Sequence, residues 1–403
     1  DSGYMARAAF VMDRLMQALG LPGKSFVPLI VGFGCNVPSV MGARTLDAPR
    51  ERLMTIMMAP FMSCGARLAI FAVFAAAFFG QNGALAVFSL YVLGIVMAIL
   101  TGLMLKHTIM RGEASPFVME LPVYHVPHIK SLIIQTWQRL KGFVLRAGKV
   151  IVIVSIFLSA LNSFSLSGKV VDNINDSALA SVSRVITPVF KPIGVHEDNW
   201  QATVGLFTGA MAKEVVGTLN TLYTAEDIQN EEFNPQTFSL GEELLAAVDE
   251  TWQGLKDTFS LSVLANPIEA SKGDGEMATG AMGVMGSKFG SAAAAYSYLI
   301  FVLLYIPCIS VMGAIARESS RGWMTFSILW GLNIAYSLST LYYQTVSFSD
   351  HPRYSLVCIL AVVFFNVVLF GLLRRARSRV DVSLLATRKT PASCCSSPAG
   401  DCH

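Results

Sequence analysis

The stretch GFGCNVPSVMGAR (residues 32–44) sets one thiol, Cys35, and one carboxamide, Asn36, among residues that disfavour helix. Gly32, Gly34 and Pro38 surround them at the end of an apolar run, SFVPLIVGFG. In a helix interior Gly costs about 1 kcal/mol relative to Ala, and Pro about 3. In a bilayer such loosened backbone persists only where protein buries it or where it lines a cavity. A free cysteine is often no more than a small buried hydrophobe. The break and the neighbouring Asn36 are what single this one out.

Two further thiols have related settings, Cys64 in PFMSCGAR (60–67) and Cys308 in YIPCISVMGAIAR (305–317), the latter beside Pro307. Cys358, in YSLVCILAVVFF, has no such context and reads as core. Glu214, in TGAMAKEVVGTL, stands inside an apolar segment near Gly209. An ionisable group there costs about 2.5–3.5 kcal/mol on insertion scales and marks function by default; the plainer reading is a surface pair with Lys213. Met41, Met62, Met211 and Met312 stand near these segments, mostly as packing. Thiolate, thioether, amide carbonyl and carboxylate together suit a borderline-soft divalent transition metal better than Mg²⁺ or Ca²⁺. Cys35, Asn36, Cys64, Cys308 and Glu214 are thus the candidate metal contacts, and Gly32, Gly34, Pro38, Gly209 and Pro307 the candidate helix breaks. The spacing is not that of a closed zinc site. No catalytic or cofactor-holding residue is expected.

Two other patterns carry less. ALGLPGKS (18–25) fits a relaxed phosphate-loop pattern, but it lacks the preceding strand that the mechanism needs. The tail CCSSPAGDCH holds Cys394, Cys395, Cys402 and His403, a set open to metal or redox chemistry or simply a reactive tail.

The elements that must position these residues follow from composition. Of 403 residues 53% are hydrophobic and 14% charged, with mean hydropathy +0.54; soluble domains carry roughly 25% charged residues. The chain therefore reads as an all-α integral membrane protein. Seven cysteines, four of them in apolar runs, exclude a secreted disulfide framework. An amphipathic helix is expected over 1–24. A first unit over 25–164 comprises an interrupted helix (25–43) and spans at 53–80, 84–105 and 143–164. An outer loop follows over 165–201. A second unit over 202–373 comprises an interrupted helix (202–222), an acidic outer loop (223–289) and spans at 290–316, 322–346 and 354–373. A basic, Cys-rich tail occupies 374–403. The basic clusters Arg44/Arg50/Arg52, Lys106 to Lys141, Arg317/Arg321 and Arg374 to Arg379 fall on one side, the cytoplasm, if both interrupted segments dip in and return.

LGLPGKSFVPLIVGFGCNVP (19–38) and IGVHEDNWQATVGLFTGAMAKE (193–214) share a hydrophobe-Gly-hydrophobe start and an aromatic six residues after that Gly, Phe26 or Trp200. Each precedes three spans, the first carrying Pro and Cys. A unit of one re-entrant helix plus three transmembrane helices makes its second copy inverted. Inverted repeats with broken helices are a transporter architecture, and the paired breaks point to the binding site.

DSGYMARAAFVMDRLM, GFGCNVPSVMGARTL, PFMSCGARL, TGAMAKEVVGTL and YIPCISVMGAIARE closely resemble the membrane part of the bacterial ferrous iron transport protein B family. The resemblance covers essentially the whole chain. It implies Fe²⁺ import across the inner membrane, with the C-terminus cytoplasmic and the two interrupted helices as the family's gates. It also implies small cytoplasmic accessory proteins and a GTP- and Mg²⁺-binding domain upstream of this chain, so no GTP site is expected here. No nucleic-acid partner is expected, and a homo-oligomer is left open. Two alternatives stay open as well: a carrier of nucleosides or another organic solute, and a membrane metal or redox sensor signalling through the tail.

Overall fold

The computed structural model describes residues 4–110, 128–163, 177–196, 198–211, 285–305, 308–349 and 351–376, which form helices and no strand. Helix α1 (Tyr4–Leu19) is amphipathic as expected: Ala9, Met16 and Leu19 are buried while Phe10, Val11 and Leu15 are exposed. It meets α2 (Phe26–Gly34) at a 100° bend. Asp13 accepts a hydrogen bond from the Gly23 amide (2.7 Å) across that bend, and a side chain at Gly23 would collide with the Ala9 carbonyl. After Cys35 comes α3 (Asn36–Gly42).

The expected span 53–80 is broken. Helix α4 (Pro49–Met58) ends in a 3-10 turn over Ala59–Phe61, and α5 (Gly65–Phe74) begins after Cys64. Pro60 supplies the reason, since its ring opposes the carbonyl four residues back and it offers no N–H. Helix α6 (Gly83–Thr108) then runs unbroken. Helix α7 (Ile129–Ser163) starts well before the expected 143, because its first turns are helical but charged. The stretch read as an outer loop, 165–201, contains α8 (Ala178–Ile186), capped by Ser177, and a 3-10 segment over Thr187–Ile193. Helix α9 (Trp200–Met211) leads into the residues not described.

The expected span 290–316 is likewise two helices, α10 (Ala292–Leu304) and α11 (Ile309–Glu318). Helix α12 (Arg321–Val346) covers the expected 322–346 but is not apolar enough to count as a span by composition, whereas α13 (Pro352–Ala376) covers 354–373 and is. Among the described residues, Pro49–Thr108, Ala292–Glu318 and Pro352–Arg375 are long and apolar enough to cross a membrane, and the bent pair α1–α2 would make a fourth.

Helix α10 lies at the centre, with Leu299, Ile300, Val302 and Leu303 buried against α5, α6 and α12. By contrast, α13 rests on α12 with most of its apolar surface outward. Asn333 donates to Asn366 (3.0 Å) and Asn366 to the Ser337 hydroxyl (2.8 Å), polar contacts that hold apolar helices together where hydrophobic driving force is weak. At one end of the bundle the Glu318 carboxylate receives both Arg44 and Arg52, the latter at 2.6 Å. Arg50 donates to the Met110 carbonyl (2.9 Å) and Lys106 to that of Ala18 (3.0 Å) at the same end.

Two turns repeat atom for atom. Gly20 donates to the Gln17 carbonyl and Leu21 to that of Met16; Gly194 donates to Lys191 and Val195 to Phe190. Both are the six-to-one, five-to-two helix stop that wants a left-handed glycine, and the φ angles are +79° and +96°.

Candidate functional site

Cys35 stands in extended backbone (φ −154°, ψ 129°) between α2 and α3 and is half-buried. Proline geometry explains the position of the break. A helix continuing through Pro38 would drive its ring into the Gly34 carbonyl, so the chain opens at 35 and Pro38 falls in the first turn of α3, where its missing N–H costs nothing. The Gly34 carbonyl then turns toward Gly65, 3.9 Å from where a Cβ would stand there. Gly32 is no break: α2 runs through it, and a side chain would press within 3.0 Å of Met62 Cβ. Asn36, 2% exposed, donates to the Met62 carbonyl at 3.3 Å, or with its amide turned over to Gly32 (2.8 Å) and Ala59 (3.2 Å). Either way it ties the first break to the second.

Cys64 and Cys308 hold equivalent places. Cys64 precedes α5, and its carbonyl receives the Arg67 and Leu68 amides at 2.9 and 3.4 Å. Cys308 precedes α11, and its carbonyl receives Val311 and Met312 at 2.8 and 3.1 Å. Each thiol therefore sits at the positive end of a ten-residue helix, where partial charge favours a negative ligand. The two unbroken helices beside these breaks carry matching glycines. A Cβ at Gly94 of α6 would come 2.9 Å from the Phe61 carbonyl, and one at Gly331 of α12 3.3 Å from that of Leu304.

The three breaks adjoin one another. Helix α3 packs on α11, which brings the Cys35 and Cys308 segments together. Tyr305, 6% exposed, is within electrostatic range of Arg67, Cys64 and Cys308. Tyr91 of α6 is in range of Cys64 and stacks on Phe33 at 6.3 Å. Among the described residues no three His, Cys, Asp or Glu side chains form a ready cage for a metal ion. The thiols line neighbouring openings instead.

Gly209 does not interrupt its helix: α9 continues through it to Met211, as a lone glycine without a following proline allows. Glu214, Pro307, Cys394, Cys395, Cys402 and His403 lie outside the described residues. Arg67, Tyr305 and Glu318 were not among the residues expected from sequence. For Arg67 a signal existed, a full charge inside the apolar run FMSCGARLAIF, the same signal that drew attention to Glu214.

The family model described as "Nucleoside recognition" (Gate) matches residues 1–78 and 144–321, well over half of the chain. The model described as "Ferrous iron transport protein B C terminus" matches 87–139. Curated proteins named Fe(2+) transporter FeoB, from Salmonella paratyphi A and Salmonella typhi, are each 90% identical over the whole of this chain, which covers 52% of their length. That of Escherichia coli K12 is 89% identical, with the same coverage. The chain belongs to the ferrous iron transport protein B family. It spans about half the length of the curated FeoB relatives it matches, and it corresponds to their C-terminal part. The Gate match takes in Cys35, Cys64 and Cys308, whereas the FeoB C-terminus match lies on α6 and the start of α7. No solved structure matches this chain.

Proposed function

We propose that this chain is the permease part of a ferrous iron importer of the bacterial inner membrane. The observation that carries the reading is the convergence of three helix breaks, each with a cysteine at its opening, in a chain 90% identical to proteins named Fe(2+) transporter. Fe²⁺ is the substrate, and its softer ligands would be Cys35, Cys64 and Cys308. Asn36 joins the breaks, and Glu214 is the fifth contact. The acidic loop 223–289 raises local cation concentration outside. An upstream GTP- and Mg²⁺-binding domain drives or gates the step, and small cytoplasmic accessory proteins assist it.

An inverted repeat is supported by three pairings: the Gly20 and Gly194 turns, the Cys64 and Cys308 helix starts, and Gly94 with Gly331 beside the break carbonyls. A cytoplasmic face carrying the C-terminus is supported by the meeting of Arg44, Arg50, Arg52, Lys106 and Glu318 at one end.

The test is Fe²⁺ uptake by the full-length protein in cells lacking other ferrous importers, with Cys35→Ala compared at matched membrane abundance. Loss of uptake with GTP hydrolysis retained is the expected result; unchanged uptake would remove Cys35 from the iron path. The description of the Gate model favours a second reading, transport of a nucleoside. That reading predicts nucleoside uptake indifferent to Cys35 and Cys308.

A further inference from the structure

One carboxylate joins the three thiol-bearing segments at the end away from their thiols. Glu318 closes α11 ten residues after Cys308, and Arg44 lies just beyond α3, nine residues after Cys35. Arg52 stands in α4, twelve residues before Cys64. Arg44 Nε donates to both Glu318 oxygens at 2.7 Å, and Arg52 Nη2 to one of them at 2.6 Å. Helix α3 packs on α11 and on α4. Because α3 and α11 pack together and both end at the shared carboxylate, they run side by side in one direction. At 1.5 Å per residue, Cys35 and Cys308 each stand about 14–15 Å from this clasp, level with one another.

The carboxylate is poorly placed for stability. It ends a helix, where the dipole favours a cation instead. Its side chain is 2% exposed, so the charge has lost most of its water. The two guanidinium groups that offset these costs stand on other segments. Apolar side chains would hold α3 to α11 at least as well. What an apolar contact lacks is an easy release. Both arginines already reach solvent, at 59% and 34% exposure, and exchange a partner for water at little net cost.

We propose that the Glu318 clasp is the inner gate of the iron path, a role that rests on the thiol assignment and the topology proposed above. Closed, it draws α3, α4 and α11 together on the cytoplasmic side of the thiols and blocks the exit. Opening lets α3 and α11 splay about Cys35 and Cys308, where the backbone already leaves the helical region. Glu318 is no iron ligand in this scheme.

The experiment uses full-length protein in membrane vesicles of both orientations. An impermeant maleimide is added outside, and alkylation of Cys35 is followed by peptide mass spectrometry. Glu318→Gln should speed Cys35 labelling at least about fivefold in inside-out vesicles, the size expected for losing a buried charged hydrogen bond. Labelling in right-side-out vesicles should not change. A tie that serves stability alone would loosen the bundle toward both faces. An equal rise in the two orientations therefore overturns the proposal, as does no rise or one confined to right-side-out vesicles. Locking the clasp should have the opposite effect. In the double variant Arg44→Cys, Glu318→Cys, a short bis-methanethiosulfonate linker should stop Fe²⁺ uptake, and cleavage by dithiothreitol should restore it. Neither single variant should respond. A structural staple would be repaired by the link, so uptake that persists or improves on linking overturns the gate, even if Glu318→Gln accumulates poorly. Uptake that survives Cys35→Ala, Cys64→Ala and Cys308→Ala would remove the thiol assignment, whereas the locking result reads the gate whatever ligands the ion uses.

Discussion

Cys64 and Arg67 share one helical turn, and the Pro60 carbonyl that receives Arg67 belongs to the break that opens that turn. Thiol, charge and broken backbone are therefore a single local unit. Its fit against α6 depends on Gly94, where a Cβ would stand 2.9 Å from the Phe61 carbonyl and 3.5 Å from Leu303. Gly94→Val should destabilise the protein by about 1–3 kcal/mol, the usual cost of overpacking, read as a lower thermal midpoint in detergent. Gly371→Ala on α13, where nothing lies within 4 Å, should leave that midpoint level or raise it, since Ala is the better helix former by about 1 kcal/mol. At this scale the sequence is informative where residue types conflict with their setting. A Gly-Cys-Asn-x-Pro order inside an apolar run announces an opening, and the opening is at Cys35. Gly32 and Gly209 look like breaks for the same reason and are not, because a glycine only permits what a proline enforces. Glu318 escapes notice because a carboxylate at the end of an apolar segment resembles an ordinary surface charge; its burial arises from arginines 274 and 266 residues away.

Helices α3, α4 and α11 meet on that one carboxylate. Arg44 follows α3, Arg52 lies in α4, and Glu318 ends α11 with its side chain 2% exposed. Both arginines are partly open to solvent, 59% and 34%, which limits what each ion pair contributes. Removing the shared acceptor is more serious than removing one donor. Glu318→Gln should cost about 1–3 kcal/mol, whereas Arg44→Gln should cost less, since Arg52 remains; thermal unfolding of the two variants side by side checks the order. Helix positions are legible from hydropathy, as α6 and α13 demonstrate. The breaks within 53–80 and 290–316 leave no dip in hydropathy at Pro60 or across 305–308, and the second is expected only from the presence of Pro307. Hydropathy reports the solvent a segment tolerates and says nothing about whether its backbone is continuous.

For the molecule as a whole, the assembled basic end gives a topology that can be measured. Arg44, Arg50, Arg52 and Lys106 gather there, and α12 leaves from Arg321, three residues beyond Glu318. At 1.5 Å per residue its 26 residues extend about 39 Å, enough to carry Phe348 to the opposite face. Cysteines introduced at Thr45 and Arg321 should react with an impermeant maleimide from the cytoplasmic side, and one at Phe348 from the outside, with the labelled peptide mapped in each case. Reaction of Thr45 and Arg321 from opposite sides would dismantle the two-half reading. The pair Gly94 and Gly331 has a mechanical consequence for those halves. A broken helix is a poor lever if its neighbour grips it by interlocking side chains, since every change of angle must first disengage them. Here the fractured elements rest their carbonyls on bare backbone, once on α6 and once on α12. Any change of angle between a fractured helix and its neighbour would run over a smooth bearing, one within each expected unit, and the smallest residues in the bundle would set its friction.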